Sequence, residues 1–164
     1  MIVWRISNYA GLDGEGGVRA DGRWHTAGTP VVYCALHPAT ALVETFVHQE
    51  VGPAGLPSHY RYLKVEIPDG VAATQVARPA LPPGWETDVL YTRSVGDAWL
   101  ALGDTALLYV PSVLVPEAKN VLLNPRHADA ASFRIVEEIA FPLDSHLLKA
   151  PPSPAASGGK VKAT

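Results

Sequence analysis

The stretch YRYLKVEI, residues 60–67, alternates without a break: Leu63, Val65 and Ile67 fall on one face, Tyr62, Lys64 and Glu66 on the other. A period of two with one apolar face predicts a half-buried strand. Short β-type runs precede it at 2–6 (IVWRI) and 30–35 (PVVYCA). Others follow at 105–110 (TALLYV), 112–115 (SVLV), 119–123 (KNVLL) and 133–141 (FRIVEEIAF), with Pro111 and Pro116 separating neighbours. Two stretches carry the helical period instead. HPATALVETFVHQE (37–50) has Pro38 in a first-turn position and the apolar stripe Leu42, Val43, Phe46, Val47. TRSVGDAWLALG (92–103) places Val95, Ala98, Trp99 and Leu102 on one face, with Gly103 set to end it. The expected class is α+β: a bent or doubled antiparallel sheet with helices packed on it.

A chain of 164 residues, 48% hydrophobic and 18% charged, suits one globular domain, expected over residues 2–145. Beyond it, 146–164 ends in KAPPSPAASGGKVKAT, whose composition buries too little apolar area to offset its ordering entropy, and is expected to be a flexible tail. ARPALPPGWE (77–86) reads as a proline-dense surface loop. A net charge of −3 and a pI near 6.0 provide no basic stripe for a phosphate backbone, which argues against direct nucleic-acid binding. The single cysteine, Cys34, excludes an internal disulfide and a cysteine-built zinc cage. With no secretory start and no run long enough to span a membrane, the expected setting is the cytoplasm.

Four polar residues sit at element junctions: Arg23 in a glycine-flanked turn before a strand, Tyr33 at that strand's end, Glu44 in the first helix, and Ser94 at the start of the second. Each also has a purely structural reading. Arg23 is then a solvated charge, Tyr33 a buried ring with a locally bonded hydroxyl, Glu44 a boundary carboxylate, and Ser94 with Asp97 an S-x-x-D capping box. GLDGEGGV (11–18) fails as a dinucleotide fingerprint because Arg19 stands where a third glycine is required. Glu44 and His48 share a helix face, but two ligands make a weak metal case, and no metal is expected.

Three blocks taken together, GRWHTAGTPVVYCALHPATALVETF, RSVGDAWLALGDTALLYVPSVLV and NVLLNPRHADAASFRI, resemble the RES domain family, named for its Arg, Glu and Ser. The resemblance runs from Trp4-Arg5 to about Phe141. It implies a fold like that of diphtheria-type ADP-ribosyltransferases. It also implies a role as the toxin of a bacterial toxin-antitoxin pair, with an Xre-type helix-turn-helix antitoxin as partner and NAD+ as substrate. NAD+ is then either degraded, by a glycohydrolase or phosphorylase reaction, or used to ADP-ribosylate a specific protein; a third possibility is a catalytically idle partner-binding module. Carried over by the same resemblance, the family's arginine, tyrosine, glutamate and serine fall on Arg23, Tyr33, Glu44 and Ser94, with Arg5 and Asn124 lining the same pocket. The chain departs from the family turn at Asp21, which replaces a glycine, and at His25, which replaces an asparagine, while Ala128 stands where a proline often follows the histidine.

The chemistry implied assigns each residue a task. Breaking the nicotinamide-ribose bond passes through an oxocarbenium-like transition state, which a carboxylate at Glu44 would stabilise. The planar fork of Arg23 would grip phosphate oxygens. Trp24 would anchor the turn, Tyr33 would stack on the nicotinamide, and Ser94 would reach the amide or the ribose.

Overall fold

The computed structural model describes residues 1–48 and 60–140. Seven strands form one sheet: β1 (Ile2–Ser7), β2 (Val32–Ala35), β3 (Arg61–Glu66), β4 (Ala73–Gln75), β5 (Leu107–Pro111), β6 (Lys119–Leu123) and β7 (Arg134–Ala140). Three helices accompany them: α1 (Glu15–Arg19), α2 (Pro38–His48) and α3 (Val89–Leu102). The class is α+β, as the sequence predicts. The strand order is β4-β5-β6-β2-β1-β3-β7. The sheet is mixed rather than antiparallel throughout, because β4 pairs with β5 in parallel from Ala73↔Leu107 to Gln75↔Tyr109.

The centre of the sheet is its weakest seam. β1 pairs with β3 through six positions, Ile2↔Glu66 to Ser7↔Arg61, and β2 pairs with β6 through four. Between β1 and β2 there is only Trp4↔Ala35. The two halves therefore diverge from one point, and the space they leave becomes the cleft described below.

Alternation along the strands decides what faces that space. Val32 and Cys34 of β2, Leu107 of β5 and Val121 and Leu123 of β6 join Val3, Leu63, Val65 and Ile67 in one buried cluster. The intervening residues turn to the opposite face, where Leu108, Val110 and Leu122 pack with Trp24, Val31, Trp85 and Trp99, and Tyr33 packs against them. The expected inward face of β3 is thus correct, with Leu63, Val65 and Ile67 fully buried.

Several boundaries differ from the sequence reading for identifiable reasons. SVLV (112–115) is composed like a strand but forms the bend between β5 and β6, since the Ser112 hydroxyl accepts the backbone N–H groups of Leu114 and Val115 at 3.1 and 2.9 Å. Helix α3 begins at Val89, three residues earlier than expected, with Asp88 as its cap accepting from the Tyr91 N–H at 3.0 Å. Gly103 ends it as expected, its N–H bonding the Trp99 carbonyl. In α2, Leu42 and Phe46 pack inward, whereas Val43 and Val47 of the predicted stripe are exposed. Helix α1 and strand β4 carry no periodicity long enough to announce them. Residues 49–50 of the first predicted helix, Phe141 of the last predicted strand and the tail 146–164 lie outside the described residues. Among the described residues no helix is long and apolar enough to cross a membrane.

Candidate functional site

A cleft of about 680 Å³ opens at the β1/β2 seam, within the range of about 300–1,000 Å³ usual for small-molecule sites. Of the residues singled out from the sequence, Arg5, Arg23, Trp24, Tyr33 and Glu44 border it. Ser94 and Asn124 are not among its lining residues.

One wall is the turn through residues 21–27, which has no ladder of its own and is held from outside by α3. Thr92 Oγ1 donates to the Arg23 carbonyl at 2.8 Å, and Arg93 Nε donates to the Gly22 carbonyl at 2.9 Å. Asp97 accepts the Thr26 N–H at 2.8 Å and the Thr26 hydroxyl at 2.7 Å. Arg93 Nη1 also pairs with Asp21 at 3.0 Å, and Asp21 in turn accepts the Ala27 N–H. The backbone of Trp24 runs so close to α3 that a Cβ on Gly96 would stand 1.6 Å from the Trp24 carbonyl oxygen. Trp24 itself is buried against Trp85, ring centroids 5.9 Å apart, which fixes the turn in the core. From this clamped turn Arg23 Nη2 donates to the Glu86 carbonyl, while Arg23 Nη1 is buried with no hydrogen-bond partner among the described residues.

The Tyr33 hydroxyl is committed inside the same wall. Its oxygen accepts the Trp24 N–H at 3.0 Å and lies 2.9 Å from His25 Nδ1, while His25 Nε2 lies 3.1 Å from the Gly17 carbonyl. A carbonyl can only accept, so His25 Nε2–H donates to Gly17. Burial raises the Tyr33 pKa above its ordinary value, with the Trp24 N–H bond opposing, so the phenol stays protonated. Gly22 belongs to this packing: a Cβ there would meet the Tyr33 hydroxyl at 2.5 Å and His25 Nδ1 at 2.6 Å. His25, which the sequence left without a task, is a buried strut of the turn.

Another part of the lining carries Glu44. Its Oε1 accepts Ser112 Oγ–H at 2.7 Å and Asn120 Nδ2–H at 2.7 Å. These two donors fix the carboxylate's orientation from behind. Neither residue stands out in the sequence, although an asparagine inside the apolar run KNVLL is a poor strand former and therefore a usable signal. The two walls are braced by Arg78 from the proline-dense loop. It donates to Glu86 Oε1 at 3.2 Å and to the Ser112 carbonyl at 2.7 Å, and its guanidinium sits 5.1 Å from the Trp85 ring centre.

The remaining sequence candidates have local partners. Arg5 Nη1 donates to the Gly11 carbonyl at 2.7 Å, and burial lowers its pKa against the opposing pull of Cys34, Asp13 and Tyr9. Ser94 lies in the second turn of α3, exposed, its hydroxyl donating to the Tyr91 carbonyl at 2.7 Å. It is neither at the helix start nor in the cleft, because α3 turns the neighbouring Arg93 and Asp97 toward the 21–27 turn instead. Asn124 is buried at the end of β6, where its Oδ1 accepts the Arg126 N–H at 3.0 Å and shapes the following turn. Among the described residues no group of three or more His, Cys, Asp or Glu side chains is arranged to hold a metal ion.

A split seven-stranded sheet, with a carboxylate and a guanidinium lining the cleft at its seam, characterises this α+β domain. Its backbone is similar to that of a chain in the crystal structure of the M. tuberculosis MbcT–MbcA toxin-antitoxin complex, with a TM-score of 0.65 at 20% identity over 90% of this chain and 86% of that one. The sequence matches the RES domain over residues 2–144, and the chain belongs to the RES domain family. It is 47% identical over 147 residues to Toxin Res of Pseudomonas putida, covering 90% of this chain and 99% of that protein. It is 40% identical over 141 residues to the Prs ADP-ribosylating toxin of a Sphingobium species, covering 80% and 86%.

Proposed function

We propose that this chain is the toxin of a toxin-antitoxin pair and that it breaks the bond between nicotinamide and ribose in NAD+. The observation that carries this reading is the presence in one cleft of an oriented carboxylate, Glu44, and a guanidinium, Arg23, whose Nη1 has no partner among the described residues. A buried donor on a cation calls for an anionic acceptor, and a pyrophosphate oxygen supplies one. Nicotinamide leaves as a neutral base, so the reaction needs no acid at the leaving group. Positive charge develops on the ribose instead, and Glu44 is the group that stabilises it. Arg5 adds a second cation at the seam, and Trp24 and Tyr33 border the same cleft. Ser94 and Asn124 have structural tasks in this reading.

The name of the Sphingobium relative favours a second outcome of the same bond cleavage, transfer of ADP-ribose to a protein rather than to water or phosphate. The toxin role rests on the names of the relatives, and the toxin-antitoxin complex of similar backbone supports an antitoxin as partner. The Xre helix-turn-helix type of that antitoxin and the cytoplasmic setting belong to the same proposal. The test is incubation of the purified chain with NAD+ carrying label on the adenylate half, alone and with bacterial lysate. Free nicotinamide with soluble labelled ADP-ribose supports degradation, and label retained on a protein band supports transfer. Intact NAD+ in both incubations overturns the reading and leaves a partner-binding module.

A further inference from the structure

Two buried side-chain atoms lack hydrogen-bond partners among the described residues, Arg23 Nη1 and Asn120 Oδ1, and both residues border the same cleft. Folded proteins leave few such atoms, and those they keep call for an explanation. In the NAD+ reading, Arg23 Nη1 grips an anion. Asn120 is the complementary case, an acceptor in want of a donor.

Its orientation follows from chemistry. Asn120 is 8% exposed on β6, paired with Ala35 of β2 and Val110 of β5. An ionised carboxylate only accepts, so the amide must turn its NH₂ toward Glu44 Oε1, 2.7 Å away. That leaves Oδ1 directed elsewhere, with no donor among the described residues to meet it. Alternation along β6 puts Asn120 on the face of Leu122, the face that also carries Tyr33 and the Trp24 turn. A leucine or valine would suit this strand better if packing were the only demand.

We propose that Asn120 reads the ligand, its Oδ1 accepting an O–H or N–H from the part of the substrate that lies against Glu44. The inference rests on the NAD+ reading above, in which the donors at that end are the ribose hydroxyls and the nicotinamide carboxamide. One amide then performs two tasks, since the group that orients the carboxylate also recognises the fragment whose bond is broken. Ser112 serves as the internal comparison: it bonds the same Glu44 oxygen, but its hydroxyl accepts from the Leu114 and Val115 N–H groups and has nothing left for a ligand.

The experiment compares wild type, Asn120→Ala, Asn120→Leu and Ser112→Ala for NAD+ turnover and for binding of ADP-ribose and of nicotinamide. Asn120→Leu is nearly isosteric and removes a buried polar group, so it keeps the fold should the alanine variant lose it. The expected result is at least tenfold weaker binding of one fragment by the Asn120 variants, together with a raised KM and a lowered kcat. Loss on ADP-ribose assigns the donor to a ribose hydroxyl, and loss on nicotinamide assigns it to the carboxamide. Ser112→Ala is expected to lower kcat with both affinities within about twofold of wild type. Asn120 variants that bind both fragments like wild type, and copy the kcat-only loss of Ser112→Ala, would overturn the proposal while leaving the NAD+ reading standing. A wild-type chain that neither turns over NAD+ nor binds either fragment would bring down both.

Discussion

The two walls of the cleft are built by opposite means. Glu44 stands on a regular helix, so the group that needs holding is the carboxylate, and both Ser112 and Asn120 donate to it. Arg23 stands on an irregular turn, anchored in the core by Trp24 and His25 and clamped from outside by α3: Thr92 and Arg93 grip backbone carbonyls, Asp97 grips Thr26, and Gly96 lets the turn lie against the helix. A loop that must present a charged group with fixed geometry borrows rigidity from a neighbouring element. The polar face of α3 is therefore scaffold, though in sequence it resembles a site.

The comparison breaks most visibly at the Glu44 wall, where the charge itself does the work. Glu44→Gln keeps shape and removes charge; the expected result is a fall in NAD+ turnover of at least about a hundredfold, roughly 2.7 kcal/mol of transition-state stabilisation, with an unchanged melting temperature. Near-normal turnover by the folded variant would take Glu44 out of the reaction.

The Arg23 wall should fail through its scaffold. Gly96→Ala drives a Cβ into the Trp24 carbonyl, and overpacking of this kind costs about 1–3 kcal/mol. A lowered melting temperature and weakened NAD+ binding are expected together. Wild-type behaviour on both counts would show that the turn is not clamped. A smaller change sharpens the same wall: Arg23→Lys keeps the charge but loses the fork, with about tenfold weaker NAD+ binding by calorimetry as the expected outcome, or roughly 1.4 kcal/mol.

The smallest effect at neutral pH comes from β2, which carries Tyr33 on one face and Cys34 on the other. Burial pushes the Cys34 thiol from 9.0 up to about 12 and raises the Tyr33 phenol above 10.0. Both folded values exceed the unfolded ones, so stability is intact below about pH 9 and is lost as pH climbs toward the folded values. The slope reaches about 1.4 kcal/mol per pH unit for each group. Melting temperatures from pH 7 to 11 should fall only on the alkaline side, with a later onset in Cys34→Ala. An onset unmoved by that substitution would show that the thiol does not carry it.

What can be read from the sequence divides along the same line. Strand β3, the apolar part of α2 and the Gly103 stop of α3 follow from periodicity and local conformation, so YRYLKVEI and its neighbours yield the α+β class directly. The Arg23 turn and Glu44 are visible as polar residues at junctions. Ser94 reads as a cleft residue because the resemblance carries the family's serine onto it, while its local S-x-x-D pattern fits a cap equally well, and nothing local shows which way that helix turns its side chains. Ser112 and Asn120 stay hidden for the converse reason. Their partner, Glu44, is more than 65 residues away along the chain, and it takes the pairing of β6 with both β5 and β2 to bring them together. The parallel β4–β5 pair is likewise a tertiary fact, since three exposed residues carry no pattern.

The central claim is that Arg23 and Glu44 hold one ligand in the cleft they both line. A crystal structure of the Glu44→Gln variant with NAD+ tests it most directly. The expected result is a pyrophosphate oxygen within hydrogen-bond distance of Arg23 Nη1 and the nicotinamide ribose against residue 44. NAD+ bound elsewhere, or bound in the cleft with neither side chain touching it, would contradict the account.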